Sequence, residues 1–364
     1  MLCMSDTKIR WGILSTAGIA RKNWLAIRNS GNGVVTAVAS RDAARSKQFI
    51  QECQAQAPFA QAPAALASYE ALLAARDVDA VYIPLPTALR KEWVLRAAAA
   101  GKHVVCEKPC AVSLPDLREM VEACRKHQVQ FMDGVMFMHG RRLERLRALL
   151  DDGETVGTLR RLSFGFSFCA PPEFFTDNIR AHSRLEPAGC LGDLGWYCIR
   201  FALWALRWQK PERVTGRRLA ERKHPDSPAP VPTEFSGELQ FAGGVSAGFY
   251  CSFQTAHEQW AQVSGTKGCL YLPDFVLPFF GSETAIEVDQ ASFQVNGCEF
   301  NMEPRRRRVL VPEYSNSHPS AQETALFRNF AEQIGSGRLN EDWPKEALVT
   351  QEVMEECLAS ADER

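Results

Sequence analysis

The first third of the chain alternates short apolar runs with stretches of helical period. Ile9-Arg10-Trp11-Gly12-Ile13-Leu14 reads as a buried strand. A turn of small residues, Ser15-Thr16-Ala17-Gly18, leads into a helix from Ile19 to about Asn29 with Ala20, Trp24 and Ile27 on one face. Val34-Val35-Thr36-Ala37-Val38-Ala39, bounded by Gly33 and the polar Ser40-Arg41-Asp42, is rich in β-branched residues and predicts the second strand. Ala80-Val81-Tyr82-Ile83 and His103-Val104-Val105-Cys106 predict two more strands, separated by a helix that stops at Gly101. Ser113-Leu114-Pro115-Asp116 has capping-box spacing and opens another helix, with Leu117, Val121 and Cys124 on one stripe. Strands alternating with helices predict a parallel, doubly wound sheet.

Around residue 140 the period changes. Leu162, Phe164, Phe166 and Phe168 alternate with Ser163, Gly165 and Ser167. The same two-residue period recurs from Phe235 to Phe241, and from Val245 through Ala247, Phe249 and Cys251 to Phe253. Turns such as Gly243-Gly244 join these runs, which predicts a mostly antiparallel sheet. One helical block, roughly Gly192 to Trp208, interrupts it, and Pro225 to Pro232 reads as a loop or edge linker. The tail returns to helix: Ser320-Ala321-Gln322-Glu323 has capping-box spacing, and Pro344 opens a last helix to about Ala361.

Composition narrows the function classes. Among 364 residues, 42 Lys+Arg nearly cancel 43 Asp+Glu, which argues against nucleic acid or an anionic membrane as the main partner. A chain with 46% hydrophobic and 23% charged residues can bury a core, so general disorder is excluded. No apolar run approaches the roughly 20 residues of a membrane-spanning helix. Met1-Leu2-Cys3-Met4-Ser5-Asp6 holds no apolar core for a signal peptide, so the expected location is cytoplasmic. The twelve cysteines show no Cys-x-x-Cys spacing and read as reduced, buried small hydrophobes, Cys106 and Cys110 included. The histidines lack metal-ligand spacing, so no metal site is expected.

Five segments carry candidate chemistry. The first strand–turn–helix is where a dinucleotide would sit, its pyrophosphate on the helix N-terminus. The glycine pattern there is degraded: Ser15 and Ala17 replace two glycines, and Ala20 holds the third position. After the second strand, Ser40-Arg41 offers a hydroxyl and a guanidinium suited to a 2′-phosphate and favours NADP, while Asp42 keeps NAD possible. Glu107-Lys108-Pro109 stands at the carboxyl end of a strand, where ligands bind in such sheets. Asp193 and Tyr197, four apart in Gly189-Cys190-Leu191-Gly192-Asp193-Leu194-Gly195-Trp196-Tyr197, share a helix face. They read either as an acid/base pair or as an N-capping Asp193 with a core Tyr197. Arg305 to Arg308 reads as a solvated edge or an anion site.

Taken together, the degraded glycine turn, Glu107-Lys108-Pro109 and Gly192-Asp193-x-Gly195-x-Tyr197 resemble the Gfo/Idh/MocA oxidoreductase family over essentially the whole chain. Ile19-Ala20-Arg21-Lys22, Pro84-Leu85-Pro86-Thr87 and Asn178-Ile179-Arg180 look like a subgroup close to dimeric dihydrodiol dehydrogenases and NADP-dependent xylose dehydrogenases. The resemblance implies an α/β Rossmann domain over 1–138 and an α+β domain over 139–364 with an open, mostly antiparallel sheet. That sheet would make a homodimer or homotetramer, and the terminal helices are free to pack back on the first domain.

The implied activity is NADP-dependent oxidoreduction of a sugar, polyol or cyclic diol. Ser15, Thr16, Ala17, Gly18, Ile19, Ser40, Arg41, Pro84, Leu85, Pro86, Glu107 and Lys108 would line the cofactor. Lys108 would bind substrate and tune Tyr197, the proton donor or acceptor, and Asp193 would hold a second hydroxyl. Arg180 and His139 are implied substrate contacts, His139 reading equally as a packing residue; Arg141 and Arg142 fall in the same region. Two departures stand out. Ser15 replaces a glycine, and Arg90 stands where relatives often have His, either facing an acidic substrate or pointing outward. Two alternatives remain at this level: a nucleotide-sensing protein without catalysis, and an enzyme using a tightly held nicotinamide internally.

Overall fold

The computed structural model describes residues 8–363. Met1–Asp6, expected to lack a signal-peptide core, lies outside them. The chain divides into two units. One comprises residues up to His139 with 184–187 and 316–351; the other comprises 140–183, 188–315 and the residues from Glu352.

In the first unit, six parallel strands run in the order β3-β2-β1-β4-β5-β6. These are β1 (Ile9–Leu14), β2 (Gly33–Ala39), β3 (Ala64–Leu66), β4 (Ala80–Ile83), β5 (His103–Cys106) and β6 (Phe131–Asp133). Their connections carry α1 (Gly18–Ser30), α2 (Ala43–Gln56), α3 (Tyr69–Ala74), α4 (Thr87–Ala99) and α5 (Leu114–Lys126). Helices cover both faces, which is why the central strands read as continuous apolar runs rather than alternating ones: all four residues of β4 are buried. The order reverses between β1 and β4, and the carboxyl ends on either side of that point open a crevice for ligands.

A C-terminal helix, here α9 (Gln322–Gly335), completes this core. Phe327 and Phe330 lay their rings 5.2 and 5.4 Å from Trp11, all three buried. Each such side chain contributes roughly 1.5–3 kcal/mol of burial. The expected cap at Ser113 forms, its side chain accepting from the Asp116 N–H. The expected box at Ser320 does not. Ala321 is the N-cap of α9, Ser320 pairs with His318, and Glu323 accepts from the Ser317 N–H at 2.8 Å and meets Lys22 at 3.3 Å. A buried carboxylate takes its partners from tertiary neighbours ahead of a local cap.

The second unit is built on an eight-stranded sheet, ordered β16-β13-β12-β11-β7-β10-β9-β8. In chain order its elements are α6 (Arg141–Asp151), β7 (Leu159–Cys169), α7 (Phe174–Asp177), α8 (Trp196–Ala205), β8 (Arg213–Arg222), β9 (Val231–Gln240), β10 (Ser246–Ser252), β11 (Gln254–Gly265), β12 (Cys269–Leu272), β13 (Thr284–Asp289) and β16 (Arg306–Val311). Every pairing is antiparallel except β7 with β10. One face buries Phe164, Phe166, Phe235, Phe249 and Phe275, with Phe201 of α8 at 5.5 Å from Phe164. By register the opposite face carries Arg161, Ser163, Gly165, Ser236, Glu238, Gly248, Tyr250, Trp260 and Tyr271.

Between β13 and β16 a two-stranded hairpin, β14 (Ser292–Asn296) and β15 (Glu299–Glu303), stands apart from the large sheet. The helix α10 (Asp342–Asp362) closes the chain. The arginine run is a solvated edge, with Arg306 paired to Asp289 at 2.8 Å.

Candidate active site

The nucleotide turn follows from the backbone of Ser15. It sits at φ +136°, in the region that favours glycine, so the chain keeps a glycine-shaped turn with a serine in it. Its hydroxyl accepts from the Ala17 N–H at 3.1 Å and lies 3.5 Å from the Pro84 carbonyl, drawing the ends of β1 and β4 together. The α1 N-terminus has no side-chain cap and no acidic residue in its first turn. A Cβ placed on Gly18 would meet nothing within 4 Å. Uncapped amides at the positive end of a 13-residue helix, with open space before them, fit a pyrophosphate.

At the end of β2, Ser40 donates to the Asp42 carbonyl at 2.5 Å and accepts from the Asp42 N–H at 3.1 Å. The Asp42 carboxylate is itself occupied, accepting the Ala44 N–H at 2.8 Å as the N-cap of α2. Arg41 beside it is exposed. The sequence left the two residues in competition for the cofactor; the geometry commits the carboxylate to the helix and leaves the guanidinium at the surface.

The loops after β4 and β5 form one hydrogen-bonded body. Glu107 Oε1 accepts from the Tyr82 hydroxyl at 2.5 Å, and Asn23 donates to that same hydroxyl at 2.6 Å. Burial first, and the adjacent Glu107 carboxylate second, push the Tyr82 phenol well above its ordinary pKa. Glu107 Oε2 accepts from the Lys108 main-chain N–H at 3.3 Å, which sets the loop at the partly buried Lys108. Glu186 takes the Thr87 N–H at 2.9 Å and the Thr87 hydroxyl at 2.6 Å, capping α4 just after Pro84-Leu85-Pro86.

Arg90 corrects the sequence reading. It neither faces a substrate nor points outward: it is 6% exposed and donates to the backbone carbonyls of Leu85 (2.7 Å), Glu107 (3.0 Å) and Pro109.

In the second unit, Asp193 and Tyr197 stand on either side of a junction between two kinds of helix. Leu191–Gly195 is a π-turn, and α8 begins at Trp196. Single π-turns of this kind are rare and occur frequently at functional sites. Here Gly189, at φ +48°, brings the turn so close to β9 that a Cβ would lie 2.2 Å from the Pro232 carbonyl. Asp193 is not the N-cap of the block, which was one of its two sequence readings. Its Oδ2 is 2.8 Å from Arg180 Nε, and Asn178 holds Arg180 in place by accepting its main-chain N–H at 3.0 Å. Asn178-Ile179-Arg180 is therefore a small capped turn that presents a guanidinium to Asp193. Tyr197 is 7% exposed, its ring 5.7 Å from Phe166.

His139 belongs to the first unit, where its Nδ1 is 3.2 Å from Asn329 Nδ2 and its ring meets Trp343 edge-on at 5.9 Å. Those contacts tie His139 to α9 and to Trp343. Arg142 is buried against Asp274, with Nη2 2.7 Å from the Asp274 carbonyl, so it serves the fold. Sequence reasoning missed Tyr82, Asn23 and Glu186. Tyr82 carried a signal, as the only hydroxyl in an otherwise apolar four-residue strand. Glu186 carried none, since its partner Thr87 is 99 residues away.

Comparison with known proteins converges with this geometry. Residues 9–135 match the oxidoreductase family with an NAD-binding Rossmann fold, GFO_IDH_MocA, and residues 143–271 match the GFO/IDH/MocA C-terminal domain. The chain is 35% identical over 300 residues to the trans-1,2-dihydrobenzene-1,2-diol dehydrogenase of Mus musculus, covering 80% of this chain and 83% of the mouse protein. It is 34% identical over 260 residues to a D-xylose 1-dehydrogenase (NADP(+)) of Haloferax volcanii, covering 71% of this chain and 74% of that protein. The crystal structure of a 3-ketoreductase from Actinomadura kijaniata, in complex with NADP and TDP-benzene, superposes with a TM-score of 0.81 at 26% identity, over 97% of this chain and 98% of that one. Matches to both halves, together with relatives spanning most of the chain, establish that this protein belongs to the Gfo/Idh/MocA family of oxidoreductases.

Proposed function

We propose that the protein is an NADP-dependent dehydrogenase or reductase acting on a CH–OH group of a sugar, polyol or cyclic diol. The observation that carries this reading is the Arg180–Asp193 pair, with Asp193 four residues ahead of Tyr197 on one helical block, in a chain whose relatives are named for diol and aldose oxidation. The uncapped N-terminus of α1 would hold the pyrophosphate and Arg41 with Ser40 the 2′-phosphate; Ser15 to Ile19, Pro84 to Pro86 and Glu107 with Lys108 would line the rest. When bound, the nicotinamide supplies the hydride exchange. All proton handling falls to the chain.

Tyr197 takes the hydroxyl proton in oxidation and returns it in reduction. As the family resemblance implies, Lys108 would bind a substrate hydroxyl, and its ammonium would favour the phenolate. Asp193, oriented by Arg180, accepts a neighbouring hydroxyl of the substrate, and a vicinal diol is the grouping such a site selects. Arg180 touches substrate from its exposed side; His139 is assigned to packing. The enzyme is proposed to be cytoplasmic, where free cysteines such as Cys190 and Cys251, 3.9 Å apart at sulfur, stay reduced. It is proposed to be a homodimer or homotetramer through the open sheet face.

The test measures nicotinamide absorbance with NADP and NAD across aldoses, inositols and trans-dihydrodiols, for the parent chain and for Tyr197→Phe. The expected result is turnover with NADP that falls by about two to four orders of magnitude in the variant, with cofactor affinity unchanged. Undiminished turnover in Tyr197→Phe overturns the role of that phenol. Silence on every compound, from protein that still binds NADP, overturns the substrate class.

A further inference from the structure

Arg90 is a guanidinium taken out of water, and all three hydrogen bonds it donates go to main-chain carbonyls. A buried cation is costly unless its charge and its donors are both met. The same residue links both groups: the Glu107 carbonyl accepts from Arg90, and its carboxylate accepts from the Tyr82 hydroxyl at 2.5 Å. The donors are met in a specific pattern. Nη1 reaches the carbonyls of Glu107 and Pro109, the residues on either side of Lys108, and Nε reaches the Leu85 carbonyl in the Pro84–Pro86 loop. Packing of α4 against its sheet would be served by a methionine or leucine. A rigid fork with several donors is needed only to grip several acceptors at fixed angles.

We propose that Arg90 is a positioning residue for Lys108. It holds the main chain on both sides of the lysine and ties it to the loop after β4, so that the two loops at the carboxyl ends of adjacent strands move as one body. Arg90 touches neither substrate nor cofactor; its effect passes through the placement of Lys108. The inference rests on the role proposed above for Lys108, and the test separates failure of one from failure of the other.

In the full chain, Arg90→Met and Arg90→Lys are compared with Lys108→Met for NADP affinity, kcat, KM, the pH–rate profile and thermal unfolding. For Arg90→Met the expected result is NADP affinity and KM within about threefold of the parent and kcat lower by about ten- to a hundredfold, the scale of a misplacement near 1 Å. With the ammonium out of place the Tyr197 phenol ionises less readily, so the alkaline-rising limb of oxidation moves up by about one pH unit. Arg90→Lys, with fewer donors, recovers part of kcat. A folded Arg90→Met with parental kcat and limb overturns the proposal. So does a fall in kcat that only tracks lost folded protein, the limb staying in place. If Arg90→Met does not fold, Arg90→Lys decides by the same limb. If Lys108→Met itself leaves kcat and limb unchanged, the role of Lys108 has failed and Arg90 falls with it. If Lys108→Met moves the limb and neither Arg90 variant does, only the Arg90 inference fails.

Discussion

Ser15 holds a left-handed φ of +136° in the turn after β1, and its hydroxyl recovers part of the cost by accepting from the Ala17 N–H. A β-branched residue there has no such compensation. Ser15→Val is expected to lose about 1–3 kcal/mol of stability, whereas Ser15→Gly, trading a hydrogen bond for relief of strain, stays within about 1 kcal/mol of the parent. Thermal or urea unfolding checks both, and a Ser15→Val variant as stable as the parent removes the strain. At this scale the legibility of the sequence was uneven for a physical reason. Ser15, Asp193 and Tyr197 sit in motifs a few residues long, so a family resemblance points to them, although the spacing of Asp193 and Tyr197 alone left a capping reading open. Arg90 is defined by carbonyls 17 and 19 residues downstream, and nothing in the local pattern of α4 reveals where its guanidinium goes.

Among the elements, β5 carries a titratable group whose state matters to the sheet. His103 Nδ1 accepts the Gln130 main-chain N–H at 2.9 Å at the start of the β5–β6 pairing, which requires that nitrogen unprotonated, and burial holds the imidazole below its ordinary pKa. Above about pH 6.5, the ordinary histidine value, folded and unfolded chains are both neutral there and the group adds no pH dependence. As pH falls through that value the unfolded chain binds a proton that the folded chain refuses, so stability drops until the depressed folded pKa is reached. Between pH 7 and 5.5 the melting temperature is expected to fall less steeply in His103→Gln than in the parent, and equal slopes would clear His103 of the effect. The parallel strands were legible because burial on both faces leaves an unbroken apolar run. The π-turn at Leu191–Gly195 was not, since no local residue pattern marks it and the close approach just before it, Gly189 to Pro232, is tertiary. The β14–β15 hairpin did carry a signal, Gly297 at φ +63° as the first residue of the two-residue loop Gly297-Cys298, the position where a type II′ hairpin turn takes glycine.

For the whole molecule, the proposed oligomer follows from the uncovered side of the eight-stranded sheet. Its central strands present small residues, Ser163, Gly165, Ser236 and Gly248, with aromatic rings laid on them: a Cβ at Gly165 would sit 2.6 Å from Trp260 Nε1. Trp260 and Tyr271 stack at 6.5 Å, tilted by 30°. The strands that carry this face, β9, β10, β7, β11 and β12, run 10, 7, 11, 12 and 4 residues and are spaced about 4.8 Å apart. In the proposed dimer a two-fold axis would set each Trp260 against the same patch on its mate. The hairpin offers a second contact: Phe293, Val295, Phe300 and Met302 share one face by register and are all exposed. A two-stranded ribbon with one apolar face is marginal in water until something covers it. Trp260→Glu is therefore expected to give monomers in light scattering, with the parent's circular dichroism. Phe300→Ser with Met302→Ser would stop assembly at the dimer if the parent is a tetramer. A parent chain that stays monomeric at tens of micromolar overturns the sheet-face reading, and a tetramer indifferent to the hairpin changes places its second interface elsewhere.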